Sequence, residues 1–135
     1  MVAVSQQPVN VTILDDWQRV ALTSADWSPV LGRASVEVLD HHIADEDDLV
    51  RQLAASTVVV AMRERTAFPA HVLARLSRLR LLVTTGGSNA AIDVAAANDN
   101  GVIVCGTSAS GPEVPEITIG MMIALMRNFA PEDAA

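Results

Sequence analysis

Apolar residues fall into short runs separated by polar turns, a pattern that predicts alternating strands and helices. The runs typical of strands are 11–14, 35–39, 57–62, 81–85 and 102–105. The segments between them predict helices at 45–55, 69–76 and 94–100, and a broken helical region at 17–30 that Pro29 stops. The pattern also predicts a last helix at 113–129, which follows a loop at 106–112.

Strands that alternate with helices form βα units, and their right-handed crossovers make the strands parallel. The predicted fold class is therefore α/β. We expect a flavodoxin-like five-stranded parallel sheet of order 2-1-3-4-5, flanked by helices and ending in a long apolar helix. The predicted division is a flexible lead-in at 1–9, an α/β unit at 10–112, and an interdomain or dimerisation segment at 113–135.

The last predicted helix differs from the others because 117–126 reads I-T-I-G-M-M-I-A-L-M and is apolar on every side. Such a helix must be buried all round, whereas one sheet covers only one side of it. Left bare, it would be a large apolar patch of a kind that is rare on soluble monomers. Since no further element follows before Ala135, the pattern predicts an incomplete or obligately associated piece.

Composition excludes several classes of protein. Half of the residues are hydrophobic, which argues against disorder, and a net charge of −7 argues against broad contact with nucleic acid. Cys105 is the only cysteine, so no intrachain disulfide can form. The N-terminus lacks the features of a signal peptide, and no apolar run reaches the ~18 residues that span a bilayer. We expect a soluble, cytoplasmic unit with no membrane partner.

Two glycines, Gly86 and Gly87, break the fourth predicted strand at its carboxyl end, where open α/β sheets bind ligands. Glycine lets backbone N–H groups approach an anion closely. A tight turn without a ligand is the alternative, since no phosphate-binding motif matches this loop. After the loop, Asp93 is a good N-cap for the next helix, and Gly101 fits the position that closes it.

A cluster of titratable residues follows the second predicted strand, where His41 and His42 precede the acidic run at 45–48. Their spacing matches no known metal motif, and acids are normal in the first turn of a helix, so no metal is expected. Cys105 lies at a strand end, but a nucleophile needs a neighbouring base that the sequence does not supply. A packed or half-exposed thiol is the favoured interpretation.

Asp15 and Asp16 follow the first predicted strand and resemble the acidic pair of response-regulator receivers, which share this topology. The third strand, however, ends at 61–63 as A-M-R, without the phosphoacceptor aspartate of receivers. The fifth strand also lacks the usual lysine. The receiver interpretation is therefore disfavoured.

Several motifs, in this order, resemble the N-terminal part of NAD-dependent D-2-hydroxyacid dehydrogenases. The motifs are V-V-A-M-R at 59–63, L-R-L-L-V-T-T-G at 79–86, I-D at 92–93, G-V-I-V at 101–104, P-E at 115–116 and I-A-L-M-R-N at 123–128. The resemblance covers nearly the whole chain. It implies a substrate (catalytic) domain with a flavodoxin-like sheet. It also implies that the final helix leads to a separate Rossmann domain and helps to form a homodimer.

The family pattern R-x-G-x-G-x-D-N-I-D has loop amides that hold the carboxylate of the substrate. Gly86 matches its first glycine, while Thr84 replaces the arginine and Ser88 the second glycine. Two alanines at 90–91 replace the D-N pair. The shape of the loop and its substrate preference therefore do not follow from the family pattern. Glu116 matches an acid at the start of the family's last helix and is expected to be structural.

Arg63 matches a family arginine near the substrate, where a guanidinium can clamp a carboxylate with two hydrogen bonds. The alternative is a surface arginine paired with Glu64 or a helix end. The residues that the resemblance implies for binding a small 2-hydroxy or 2-keto carboxylate are Arg63, Thr85, Gly86, Gly87 and Ser88.

The family's catalytic Arg, Glu and His lie after this region, and no G-x-G-x-x-G occurs here to bind NAD. None of His41, His42 and His71 matches the catalytic His. The resemblance implies that NAD or NADP serves the full-length parent, with no cofactor for this chain alone. The expected function is the substrate-binding part of an NAD(P)-dependent D-2-hydroxyacid dehydrogenase, truncated and inactive by itself. The alternative is a free-standing, non-catalytic flavodoxin-like module that binds a small carboxylate or a protein partner.

Overall fold

The computed structural model describes residues 8–108 and 113–127, which form five strands and five helices. The strands are β1 (Val9–Ile13), β2 (Ala34–Val38), β3 (Val58–Ala61), β4 (Leu81–Thr84) and β5 (Ile103–Gly106). The helices are α1 (Ser28–Leu31), α2 (Glu46–Leu53), α3 (Ala70–Leu73), α4 (Val94–Asp99) and α5 (Glu113–Met126). Most of the predicted lead-in, the end of the loop at 106–112 and the chain end after 127 lie outside the described residues.

The five strands form one parallel sheet of order β2-β1-β3-β4-β5, which confirms the predicted fold class and strand order. In the register, Val11 of β1 lies beside Val58 of β3, and Val59 of β3 lies beside Leu82 of β4. Because all strands run in the same direction, their carboxyl ends meet at one edge. The loops that leave this edge carry the candidate sites.

The core lies between the central strands and the helices that cover them. Along β3, Val59 and Ala61 are fully buried while their neighbours are half-buried. Helix α2 turns Leu49 and Leu53 inward, as its amphipathic pattern predicts. The other large, fully buried side chains are Leu14, Phe68, Val72, Leu73, Leu79, Leu82 and Val102. Burying one such side chain stabilises the fold by about 1.5–3 kcal/mol.

The predicted helical region at 17–30 is mostly turns, and α1 occupies only its end. The carboxylate of Asp16 accepts hydrogen bonds from the backbone N–H groups of Val20 and Ala21, which holds the turns in place. Arg19 has a positive φ of 56°, which no helix tolerates. The prediction that Pro29 stops a helix is wrong, because Pro29 lies in the first turn of α1, where no backbone N–H is needed.

Element ends differ from the prediction by up to three residues. β1 begins at Val9, inside the predicted lead-in, because it pairs there with Ala34 of β2. α3 ends at Leu73 rather than at residue 76, and single turns carry the chain on to Leu79. Both differences leave the order and the faces of the elements unchanged.

Helix α5 is exposed along its length. Its exposed large apolar side chains are Ile117, Ile119, Met121, Met122, Ile123, Leu125 and Met126. The prediction that the sheet covers one side of this helix is wrong, since only Ala124 is even half-buried from residue 115 to residue 127. Burial by a partner stays a prediction. Among the described helices, none combines the length and apolarity needed to cross a bilayer.

Candidate functional site

The loop that follows β4 lies directly under the Arg63 side chain. Gly86 is buried and has a φ of 139°, a conformation that favours glycine. A Cβ atom at Gly86 would lie 2.9 Å from Nη1 of Arg63. The guanidinium therefore rests on the backbone of the glycine loop, and the structure brings these two predicted site residues together.

The backbone of Arg63 is fixed from two sides. Its N–H donates to Oγ1 of Thr85 over 3.1 Å, and its carbonyl accepts from Nδ2 of Asn89 over 2.6 Å. These bonds hold Arg63 at a positive φ of 55°, which is uncommon for a residue with a side chain. The predicted Thr85 hydroxyl thus positions Arg63, and a direct contact of Thr85 with a substrate stays a prediction.

The guanidinium of Arg63 is exposed at this edge. Within 8–108 and 113–127, no carboxylate forms an ion pair with it, so the alternative pairing with Glu64 is not formed. A planar fork of N–H donors is therefore available to an anion.

The loop amides fall into two groups. The N–H of Thr85 donates to the Ala61 carbonyl over 3.0 Å, and the N–H of Gly86 donates to Oγ1 of Thr107 over 2.9 Å. Gly87 and Ser88 are exposed, and their N–H groups have no partner among the described residues. The donors open to a ligand are thus those of Gly87 and Ser88, together with Arg63.

Three residues that shape the loop escaped the sequence analysis. Asn89 donates to Arg63 and, over 2.8 Å, to Oγ1 of Thr84. Thr107 also donates its N–H to the Gly86 carbonyl over 2.9 Å. A Cβ atom at Gly106 would lie 2.6 Å from that carbonyl oxygen, so only glycine fits there. The position of Gly106 at the end of a neighbouring strand was the available signal.

A cleft of ≈ 200 Å³ adjoins this loop. It is lined by Thr84, Gly87, Ser88, Asn89, Ile92, Val94, Val104 and Gly106. The volume lies below the usual range for drug-sized ligands, and the lining joins backbone donors to apolar side chains. A small acid with a short apolar chain suits it.

The starts of helices α2 and α4 do not fit the pyrophosphate of a dinucleotide. The carboxylate of Asp93 accepts from the N–H of Ala96 over 2.9 Å at the start of α4. Asp45 caps α2 in the same way. A bound phosphate would meet a negative charge at either position. Nor does any group of three or more described His, Cys, Asp and Glu side chains form a metal site.

The acidic pair after β1 does not form the open pocket of a receiver. Asp15 is 3% exposed and bonded to His42 and Thr66, while Asp16 holds the following turn. Cys105 is exposed on the edge strand β5, and no described side chain bonds to it as a base.

Comparison with known proteins places this chain in one family. Residues 5–118 match the family model described as D-isomer specific 2-hydroxyacid dehydrogenase, catalytic domain. The hydroxypyruvate reductase of Thermotoga maritima is 28% identical over 102 residues, which cover 75% of this chain and 33% of that protein.

Solved structures show the same fold. The phosphoglycerate oxidoreductase from Vibrio cholerae O395 matches with a TM-score of 0.77 and 29% identity, over 86% of this chain and 36% of that one. The apo-structure of D-lactate dehydrogenase from Escherichia coli matches with a TM-score of 0.74 and 19% identity, over 92% of this chain and 39% of that one. At that identity, the second match supports the fold alone.

The chain spans about a third of the length of these relatives. The family match nevertheless covers most of the chain and includes the sheet, the glycine loop and Arg63. The chain therefore belongs to the D-isomer-specific 2-hydroxyacid dehydrogenase family, of which it represents the catalytic-domain region.

Proposed function

We propose that this chain is the substrate-binding part of an NAD(P)-dependent D-2-hydroxyacid dehydrogenase. It holds the carboxylate of a small 2-hydroxy or 2-keto acid at Arg63, Gly87 and Ser88. The observation that carries this proposal is the Arg63 guanidinium, which lies against the glycine loop without an ion-pair partner among the described residues.

The geometry supports a three-point hold on a carboxylate. Arg63 supplies two parallel N–H donors, and such charge-assisted, bidentate bonds are the strongest that a carboxylate forms in proteins. The backbone amides of Gly87 and Ser88 supply further donors. Thr85 and Gly86 fix the positions of these groups through their own hydrogen bonds. The reacting carbon of the acid would then be held in a defined orientation.

Hydride transfer belongs to the parent enzyme. In this proposal NAD or NADP would supply the hydride when it is bound. Because capping carboxylates occupy the starts of α2 and α4, where a phosphate would bind, the proposed role of the described residues is to bind and orient the acid. Helix α5 is proposed to pack against a Rossmann domain or a second subunit, which would cover its exposed apolar side chains.

Calorimetric titration of the chain with 2-ketobutyrate tests the binding role. Arg63→Gln removes the charge and the bidentate fork, so we expect an affinity about tenfold lower or weaker still. Arg33→Gln removes an equal charge from another exposed arginine and should leave the affinity unchanged. Equal binding by the wild type and Arg63→Gln would refute the proposed site.

A second assay tests the division of labour between this chain and the rest of an enzyme. We expect the purified 135-residue chain to oxidise no NADH above background with any 2-keto acid. Measurable turnover would show that the chain contains reaction chemistry of its own.

A further inference from the structure

The parallel sheet has a second face that points away from the main core. Val59, Ala61 and Leu82 belong to that core, which lies between the sheet and helices α2, α3 and α4. Because side chains alternate along a strand, the neighbours of these residues on β3 and β4 point to the opposite side. We call that side the second face. Its two rows of neighbours in the register are Val11–Val58–Leu81–Ile103 and Ile13–Val60–Val83–Cys105.

The exposure of the second face rises toward the edge strand β5. Val11 and Ile13 are buried, and the side chains that β3 and β4 contribute to the two rows are half-buried. On β5, Ile103 is 64% exposed and Cys105 is exposed as well. Parallel sheets occur almost only with both faces covered. Over β3, β4 and β5, the described residues therefore leave this apolar face without a complete cover.

Helix α5 is an apolar element without a surface to pack on. Each of its large apolar side chains from residue 117 to residue 126 is more than half exposed. Ile119, Met122 and Met126 recur at helical spacing and share one side of the helix. Its 14 residues make it about 21 Å long, which exceeds the roughly 13 Å of a four-residue strand. The helix is thus long enough to cover the strands of the second face from end to end.

The two surfaces match in charge. No ionisable residue occurs from 117 to 126, and the charged residues Glu113, Glu116 and Arg127 lie before and after that stretch. The two rows of the second face contain valine, leucine, isoleucine and one cysteine. Docking the helix on this face therefore removes no ionised side chain from water.

An exchange between two copies covers both surfaces at once. A contact of helix with helix leaves the sheet bare, and a contact of face with face leaves the helix bare. In the structure α5 stands away from the sheet of its own chain, since only Ala124 is even half-buried from residue 115 to residue 127. When α5 of each copy lies on the second face of the other, one two-fold axis relates the two contacts and the assembly is closed.

We propose that the second face of the sheet binds α5 of a second copy of this chain, and that the chain forms an exchanged dimer. The inference rests on the packing of α5 under the proposed function, because it names the surface that receives the helix. It is independent of the carboxylate site at Arg63.

Sedimentation equilibrium of the 135-residue chain tests the inference. We expect a species of twice the 14.3 kDa chain mass at micromolar concentration. Ile103→Lys places a charge on the second face, and Met122→Glu places one on α5. Each should weaken dimerisation at least about hundredfold, because a buried charge would lack a partner. Val94→Glu is the matched control, since Val94 is an exposed apolar residue of α4, on the other side of the sheet.

An equimolar mixture of Ile103→Lys and Met122→Glu distinguishes exchange from other dimers. In the mixed dimer, one contact joins an unaltered helix to an unaltered face. The other contact places the introduced lysine opposite the helix that carries the introduced glutamate. We therefore expect the mixture to form heterodimers, although neither variant dimerises alone.

Cys105 provides a readout in the wild type because it lies on the second face and is the only cysteine. Its reaction with a maleimide should slow about tenfold as the protein concentration rises through the dissociation constant of the dimer. In Met122→Glu the rate should stay fast and independent of concentration.

Four results would each overturn the inference. They are a monomeric wild type, a dimer that survives Ile103→Lys or Met122→Glu, a mixture of the two variants without heterodimers, and a thiol rate that ignores protein concentration. Titration of the same variants with 2-ketobutyrate separates this inference from the carboxylate site. Unchanged affinity in them would leave the site at Arg63 standing whatever the state of association.

Discussion

The two clefts at the carboxyl edge of the sheet are built in different ways. The loop after β4 presents backbone N–H groups, and Thr107 and Asn89 hold that backbone in place. The cleft beside β1 presents side chains, and the buried carboxylate of Asp15 holds them. The residues that line this side-chain cleft are Asp15, Trp17, His41, His42 and Arg65. The loop after β4 depends on Gly86 and Gly106, where an added Cβ atom would be too close to its neighbours. The cleft beside β1 depends on the buried carboxylate of Asp15.

This difference determines how each site should respond to mutation. A backbone site is disturbed by an added Cβ atom, whereas its donors survive most changes of side chain. A side-chain site fails when its central acceptor is removed, because buried donors then lose their partners. The predictions that follow use this contrast, from the largest expected effect to the smallest.

Asp15→Ala should have the largest effect on stability. It leaves the buried hydroxyl of Thr66 without an acceptor and frees His42, and alanine tolerates a positive φ poorly. We expect the free energy of unfolding in urea to fall by about 2–4 kcal/mol. Asp15→Asn keeps an acceptor and tolerates the backbone conformation, so its loss should be clearly smaller. Equal losses for the two variants would show that Asp15 does not hold this cleft by hydrogen bonding.

Gly106→Ala tests the backbone site. The new Cβ atom would lie 2.6 Å from the carbonyl oxygen of Gly86, so the loop must shift. We expect a loss of about 1–3 kcal/mol in unfolding free energy, with weaker binding of 2-ketobutyrate. Gly120→Ala in α5 is the control, since no atom lies within 4 Å of its added Cβ atom. Unchanged ligand affinity in Gly106→Ala would argue against the loop as the carboxylate site.

Asn89→Ala separates positioning from stability at the same loop. The Asn89 amide joins the Arg63 carbonyl to the Thr84 hydroxyl. Its loss should cost about 1 kcal/mol of stability. We also expect about fivefold weaker binding of 2-ketobutyrate, because Arg63 is no longer held over the loop. Asn98→Ala, an exposed asparagine on α4, should change neither quantity. A stability loss without an affinity loss would limit Asn89 to a structural role.

The smallest expected effect concerns Asp40, at the border of the side-chain cleft. Its pKa is lowered first by the hydrogen bond from Arg19 and then by that from His41. A lowered pKa stabilises the fold above the pKa of an unfolded aspartate, about 3.9, and this contribution is lost as the pH falls through the folded pKa. Arg19→Gln should therefore raise the Asp40 pKa in a carbon-detected NMR titration.

Asp26 is an internal reference for that titration. Its pKa is lowered by hydrogen bonds from Ser28, which Arg19 does not touch. It should titrate at the same pH in both proteins. An unchanged Asp40 pKa in Arg19→Gln would show that the ion pair does not neutralise the edge of the cleft.

The sequence predicted the parts of this protein that depend on local pattern. Strand order follows from alternating βα units, and the glycine loop was recognisable because Gly86 and Gly87 interrupt a strand. Arg63 was found because its motif lies in one short run. The contact of the Arg63 guanidinium with Gly86 depends on Asn89 and Thr107, which lie in the loops after β4 and β5 rather than in the loop of Arg63.

The side-chain cleft was not predicted, because its residues are far apart in the sequence. Asp15, His42 and Thr66 come from three loops, and only the folded sheet brings them together. Sequence analysis weighed the histidines for metal binding and the aspartate for a receiver, each in isolation. For helix α5, in contrast, the sequence shows the relevant property but not the packing. Its apolar character is plain in the sequence, but packing on the sheet of the same chain was the wrong expectation.

The most direct test of the carboxylate site is to follow the backbone amide signals of the loop by NMR during titration with 2-ketobutyrate. We predict large shifts for Gly87 and Ser88, whose N–H groups have no partner among the described residues. Gly86 should move little because its N–H already donates to Thr107. Arg63→Gln should greatly reduce the shifts at equal ligand concentration, because its affinity is expected to be at least about tenfold lower. Absence of shifts at Gly87 and Ser88 in the wild type would contradict the proposed site.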